Sequence, residues 1–264
     1  MQRRPFTPAS KATMHNAATI LLVSDCSDGV EVFMMKRPAT ADFGGMYVFP
    51  GGKVDALDDH EAMAGHCRGR TDAQTSVQLE MASGGLAYWV AAVRECFEEC
   101  GVLLAYDADG EPFELADEAH KQRFNAYREA LLSGHQAFFD LCHQEGVSLA
   151  VDRILYFSHW ITPEGPPRRY DTRFFITSAP VNQEDHDHRE TEESVWTRPE
   201  EALARHERGE LNMIFPTLTT LKSICGYVSV DALLAAVGRG EHLPEYIPDR
   251  GRQGMQPVNR ANTG

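Results

Sequence analysis

Three glutamates, Glu95, Glu98 and Glu99, lie three and four positions apart in the stretch 90–102, VAAVRECFEECGV. Residues at that spacing share one face of an α-helix. Trp89, Val93, Cys96, Phe97 and Cys100 fall on the other side, and Gly101 stands where a helix would use a left-handed cap. The pattern predicts an amphipathic helix over 86–101 whose polar face is three crowded carboxylates. Like charges so placed repel by about a few tenths of a kcal/mol per exposed pair. Two outcomes are open. One is a solvated acidic face, the usual fate of such clusters. The other is a set of hard oxygen ligands for Mg²⁺ or Mn²⁺.

A second stretch bears on the choice. Phe49-Pro50-Gly51-Gly52-Lys53 follows a short apolar segment. A Pro-Gly-Gly turn after a strand lets the backbone approach a ligand closely, because glycine has no Cβ to clash. An ordinary turn is the plainer alternative.

The elements that must position these groups follow from periodicity. Segments 17–24 and 30–36 predict a hairpin around the 25–29 turn. A short strand is expected at 47–49, a helix near 72–81 and a strand over 102–106. Helices are expected at 117–132 and 135–144, separated by Gly134. Segment 149–162 is strand-like. Segment 170–178, YDTRFFITS, is rich in aromatic and β-branched residues and predicts a strand. A strand at 194–196, a helix at 199–208 and one or two helices within 216–238, broken at Gly226, complete the pattern. Strands and helices interleave without a regular βαβ beat. That predicts an α/β (α+β) fold with a mixed sheet and helices on both faces. The expected organisation is an arm over 1–16, a single domain over 17–248 and a disordered tail over 249–264.

Composition narrows the partners. The chain has 264 residues, 42% of them apolar, enough for a full core. Its net charge is 25 − 39 = −14, which argues against nucleic acid and anionic membrane surfaces. Six cysteines, Cys26, Cys67, Cys96, Cys100, Cys142 and Cys225, show no CxxC spacing and no paired histidines for zinc. The expectation is a reduced, cytoplasmic protein. No secretory h-region and no apolar run approaching about 20 residues is present.

Gly52, five residues and Asp58, followed later by Arg94-Glu95-Cys96-Phe97-Glu98-Glu99-Cys100-Gly101-Val102, resemble the Nudix box, G-x5-E-x7-R-E-U-x-E-E-x-G-U with U aliphatic. The second half matches at every fixed charged or glycine position. Cys96 and Val102 occupy the U positions, and Phe49-Pro50-Gly51-Gly52 matches the usual lead-in. Two departures stand out. Asp58 replaces a glutamate, and the spacer 59–93 has 35 residues where the pattern has 7. An insertion over 59–88 can loop out and return, because closure cost grows only logarithmically with length. A further helical insertion is expected over 111–146. Inserted boxes are similar to the branch containing the peroxisomal coenzyme A diphosphatase of animals. Segments WITPEGPPRRYDTRFF and EESVWTRPEEAL look like that branch too. A separate CoA-associated signature aligns at Gly45 and 49–52, with Ala41 where its second arginine would stand.

The resemblance implies a Nudix-type α/β/α sandwich and a metal-dependent hydrolase. Its substrate would be a small nucleoside diphosphate conjugate, foremost CoA or acyl-CoA. ADP-ribose or NAD(H) pyrophosphatase activity and a non-catalytic nucleotide-binding domain are the alternatives. The implied cofactor is Mg²⁺ or Mn²⁺, held by Glu95, Glu98, Glu99 and the Gly52 carbonyl. Glu95 is ligand or base, and Arg94 fixes carboxylate rotamers with Asp58 as partner and Gly51 as support. Glu192 and Glu193 are candidates for a general base on a later loop, with His186 and His188 beside them. Arg169 and Arg173 share a face of their strand and, with Arg37 and Lys36, are candidate substrate contacts. The helices over 117–145 could shape a pocket or a homodimer interface.

Overall fold

In the computed structural model the chain is described at residues 13–40, 43–134, 137–180 and 194–241, with the backbone of Glu245–Tyr246. The first apolar run forms β1 (Thr13–Cys26) and turns tightly into β2 (Gly29–Lys36). Residues 13–16, expected in a loose arm, belong to β1, because 11 residues of that strand pair in parallel with β8 (Arg168–Ser178) from Thr13 onward. Next come β3 (Tyr47–Val48) and β4 (Gly51–Lys53), and β4 lies antiparallel on β1 with Ala18 opposite Gly52. The inserted segment holds α1 (Glu61–Ala64) and α2 (Asp72–Gln78) and leads into α3 (Leu86–Cys100).

The region 102–106 is strand only at β5 (Ala105–Tyr106), which pairs with β6 (Ser148–Leu149). That two-residue ladder closes the base of a segment carrying α4 (Glu118–Leu132) and α5 (Phe138–Glu145). The expected long strand over 149–162 is broken by a 3₁₀ turn at Val151–Arg153, and β7 (Leu155–Ile161) follows. β9 (Ser194–Thr197) pairs with β2, and α6 (Pro199–Glu207), α7 (Phe215–Ser223) and α8 (Val230–Gly238) complete the helices. The backbone of β10 (Glu245–Tyr246) runs parallel to β7. The sheet order is β10-β7-β8-β1-β2-β3, with β4 on β1 and β9 on β2.

Side-chain alternation divides the core into two layers. Ala18, Ile20 and Leu22 of β1 and Phe175 of β8 pack on Trp89, Val93 and Phe97 of α3 and on α4 and α5. Leu21 and Val23 with Phe174 and Ile176 face Ala202, Leu221 and Leu233 of α6, α7 and α8. The result is the expected α/β/α sandwich. Among the described residues no helix is long and apolar enough to cross a membrane.

The helix α3 mixes strong helix formers with Val, Cys and aromatic residues, is held by burial of its apolar face, and ends at Gly101, whose φ of 74° is the left-handed cap expected. Trp89 is fully buried, packs 4.6 Å from Phe175 and donates Nε1–H to the Ile154 carbonyl at 3.0 Å. Its start has no capping side chain of its own. The insertion supplies one. Asp72 of α2 accepts from the N–H groups of Gly84 (3.1 Å) and Leu86 (3.0 Å), and Ser76 Oγ accepts from Gly85 N–H at 2.9 Å. A Cβ on Gly85 would collide with the Thr75–Ser76 backbone, so glycine is what lets α2 dock there. Burial draws the Asp72 carboxyl upward, but these donors outweigh it and hold its pKa below the usual range.

Candidate functional site

The glycine turn and the acidic face of α3 meet where β4 crosses that helix. Gly51 N–H donates to Glu99 Oε2 at 2.8 Å. Gly52 lies directly against Glu95: a Cβ there would sit 2.6 Å from Oε2. A Cβ on Gly51 would collide with the Ala18–Thr19 backbone of β1, so glycine is needed there, whereas one on Gly52 would displace the Glu95 carboxylate.

Arg94 ties the two halves of the motif together. Its guanidinium forks onto Asp58, Nε to Oδ1 at 2.9 Å and Nη2 to Oδ2 at 3.0 Å. Nη2 also donates to the Lys53 carbonyl at 2.8 Å, while Nη1 reaches Glu95 Oε1 (3.0 Å) and Glu98 Oε2 (3.2 Å). Asp58 is only 4% exposed and accepts a further bond from Asp55 N–H at 2.7 Å, so it is no plain loop aspartate. The missing methylene is absorbed by the backbone, which brings residue 58 close enough for a bidentate pair. Burial alone would lower the Arg94 pKa, but Asp58, Glu95 and Glu98 together raise it, so the guanidinium is charged.

The three glutamates are short of positive charge. Burial pushes the Glu95 carboxyl up to about 7; Arg94 opposes this, and the charges of Glu99 and Glu98 add to it. Burial also raises Glu98 against the pull of Arg94, and raises Glu99 against Gly51 N–H and Arg37. Buried carboxylates crowded in this way, with hard oxygen donors, suit a divalent cation chemically. Among the described residues, however, no three acidic, histidine or cysteine side chains are arranged to hold a metal ion. Glu95 and Glu98 are turned to Arg94, and Glu99 to Gly51 N–H. The donor types fit such an ion, while the carboxylates as placed are engaged by Arg94 and by Gly51 N–H.

On the opposite face of the sheet lies a largely apolar cavity of about 940 Å³. Ala17 and Thr19 of β1, Tyr170, Thr172 and Phe174 of β8, Phe49, Trp160 and Phe215 line it. Gly51 and Gly52 line it as well, so these two residues form a wall shared with the carboxylates. Arg37, one of the expected contacts, opens onto the cavity and its charge also acts on Glu99. Arg169 and Arg173 do not. Alternation along β8 puts them on the other face from Tyr170, Thr172 and Phe174. Arg173 is buried over the Tyr88 ring at 5.3 Å, bonded to Asp171 and His159, and Arg169 donates Nε–H to the Thr162 carbonyl at 2.9 Å. Neither expected contact therefore lines this cavity; both are engaged by partners on the other face of β8. Glu192, Glu193, His186 and His188 lie outside the described residues.

Three participants had no signal in the sequence: the Lys53 carbonyl, Asp72 at the start of α3, and Arg128 at its end. Arg128 of α4 donates from Nε to the Glu98 carbonyl and from Nη2 to the Glu99 carbonyl, each at 2.7 Å. Only tertiary structure brings residues 29 and 30 positions apart into such contact. The aromatic spacing at Phe49, Trp160 and Phe174 could at most have suggested a core.

A mixed sheet between helical layers, with a glycine turn docked on an Arg-Glu-Glu-Glu helix, defines a Nudix domain. The comparisons agree, and the chain belongs to the NUDT19 Nudix domain family, whose model matches residues 68–224, more than half of its length. It is 24% identical over 239 residues to a Xenopus laevis protein named acyl-coenzyme A diphosphatase NUDT19, covering 77% of this chain and 62% of that one. A Gallus gallus protein of the same name is 28% identical over 167 residues, covering 57% and 43%. The chain thus spans less than two thirds of either relative's length. A NUDIX hydrolase structure from Alicyclobacillus acidocaldarius has the same fold, with a TM-score of 0.61 at 22% identity, covering 86% of this chain and 97% of that one.

The raised Glu95 pKa has a consequence for stability. An acid that binds its proton more tightly when folded stabilises the fold fully below its unfolded value, 4.5, and that contribution disappears as pH rises through about 7. Metal-free protein should therefore lose thermal stability from this group between about pH 5 and pH 8. Mg²⁺ or Mn²⁺ should raise the melting temperature more at the upper end. Calorimetric melts with EDTA and with added metal check this; a metal-induced shift independent of pH would contradict it.

Proposed function

We propose that this chain is a metal-dependent Nudix diphosphatase that cleaves the diphosphate linkage of a nucleoside diphosphate conjugate, with CoA or an acyl-CoA as substrate. The observation that carries the proposal is the wall at Gly51–Gly52, shared between the buried carboxylates and the apolar cavity. A diphosphate held at the turn can keep an apolar or aromatic portion of the same molecule in the cavity.

Glu98 and Glu99 supply hard anionic oxygens for Mg²⁺ or Mn²⁺, and Glu95 is a third donor or the base. When bound, such ions neutralise phosphate charge and lower the pKa of an attacking water. That answers how a protein of net charge −14 handles an anionic substrate. Arg94 keeps the rotamers of Glu95 and Glu98 narrow, and Asp58 anchors Arg94. Arg37 lines the cavity and its charge acts on Glu99, which supports its reading as a contact for a phosphate oxygen. The names of the frog and chicken relatives favour CoA over other conjugates.

The test is a substrate panel: CoA, acyl-CoAs, ADP-ribose, NADH and diadenosine polyphosphates with Mg²⁺ or Mn²⁺, products resolved by mass. The expected product is 3′,5′-ADP together with the phosphopantetheine fragment. Preferential turnover of ADP-ribose or NADH would move the assignment to a pyrophosphatase of those conjugates. No turnover of any member would leave a nucleotide-binding domain.

A further inference from the structure

We infer that Arg128 is a positioning residue for the carboxylates of α3, clamping the last turn of that helix and so setting the affinity of the site for a divalent cation. The inference rests on the metal-dependent function proposed above.

An α-helix leaves its last four carbonyls without donors from within the helix. In α3 two of these belong to Glu98 and Glu99, and both accept from the Arg128 fork at 2.7 Å. Two parallel donors fix the orientation of a peptide pair as well as its position. A cation at a helix C-terminus is also favoured by the macrodipole. Gly101 leaves the space open: a Cβ there would come to 4.0 Å from Arg128 Nη1.

The clamp is delivered by packing. Phe124, one turn before Arg128 on the same face of α4, is buried 6.2 Å from the Phe97 ring and 4.8 Å from that of Phe113. Phe97 belongs to α3, so α4 is seated on the helix whose end Arg128 closes. Asp72 satisfies the other end of α3 from α2. The two segments flanking the helix thus hold a donor-rich end and an acceptor-rich end with opposite charges.

A side chain can be no better placed than the backbone that carries it. With the last turn free to fray, Glu98 and Glu99 lose their shared orientation, and gathering them around an ion costs more. The loss falls on cation affinity rather than on the organic half of the substrate.

The experiment compares Arg128→Gln, Arg128→Lys and Phe124→Leu with wild type. Mn²⁺ binding is read by titration calorimetry without substrate, and amide exchange of 98–102 by mass spectrometry without metal. Arg128→Gln should weaken Mn²⁺ by about tenfold, the scale of losing an outer-shell partner, and exchange faster in that turn. Arg128→Lys restores the charge but not the fork and should remain several-fold weak. Phe124→Leu should lower the melting temperature with Mn²⁺ affinity kept. Arg128→Gln binding Mn²⁺ within twofold of wild type overturns the inference. So does Phe124→Leu weakening Mn²⁺ equally while amide exchange of 98–102 stays as in wild type, since affinity would then follow helix docking and not the order of the last turn. Neither readout needs turnover. A wild type that binds Mn²⁺ but cleaves no conjugate refutes the proposed function and leaves the Arg128 comparison standing; one that binds no Mn²⁺ overturns both.

Discussion

Glu98→Gln and Glu99→Gln should each remove metal-dependent turnover, by about 100-fold or more, while leaving the protein folded. The size of the loss follows from charge. A glutamine oxygen can still accept a hydrogen bond, but it contributes no negative charge to a divalent cation. The retention of folding follows from the same cluster without metal. Both carboxyls have raised pKa values because burial is incompletely offset by Arg94, Gly51 N–H and Arg37. Neutralising either one relieves repulsion with its neighbours, so the metal-free melting temperature should hold or rise. The metal-induced rise should shrink at the same time. Activity and metal-free stability moving in opposite directions would separate a ligand role from a scaffold role. Wild-type rates in both variants would sink the proposed mechanism.

The parts of this arrangement that were legible from sequence share a physical basis. Periodicity announces a helix when one face is apolar over its whole length, and α3 satisfies that from Leu86 to Cys100. The strands β1, β2 and β8 announce themselves by apolar and β-branched content. Gly51 and Gly52 draw attention because only glycine permits the approach they make to β1 and Glu95. What stayed hidden depends on long-range partners. β4 is three residues, two of them glycine, and is a strand only because β1 is beside it. The break at Val151–Arg153 is not marked by glycine or proline.

The arginines show the same limit from the other side. Arg173 and Arg94 are both buried cations bonded to carboxylates, and no local pattern says which face of the sheet each will serve. Alternation correctly paired Arg169 with Arg173, but it could not say that the cavity takes the other side of β8. Asp58 was ambiguous for a related reason. Its partner Arg94 lies 36 residues away, and the segment between them returns to α3 through the contacts of Asp72 and Ser76 with residues 84–86.

Arg94→Met should be the most destabilising of the substitutions considered, at about 3–5 kcal/mol. Arg94 is 7% exposed and Asp58 4%, so removing the guanidinium leaves a carboxylate buried without its counter-ion. Glu95 and Glu98 lose a donor as well, and the Lys53 carbonyl loses its contact with the helix. Against a typical total of about 5–15 kcal/mol, that is a large share. Asp58→Asn should cost less, because an amide oxygen still accepts one of the two Arg94 bonds. The pair itself is not required for folding, since apolar replacement of both partners of a buried ion pair is often tolerated. Arg94→Met combined with Asp58→Leu should therefore recover much of the stability lost in Arg94→Met alone. It should recover no activity, because the rotamers of Glu95 and Glu98 remain unheld. Asp58→Glu, which restores the residue usual in this motif, should also destabilise. The backbone already brings Asp58 to 2.9 and 3.0 Å from Arg94, and an added methylene has no space in a site this buried. Urea unfolding of wild type, Arg94→Met, Asp58→Leu and the double variant, analysed as a double-mutant cycle, measures the coupling directly. If the costs of Arg94→Met and Asp58→Leu simply add, the fork between them does not hold the two halves of the motif together.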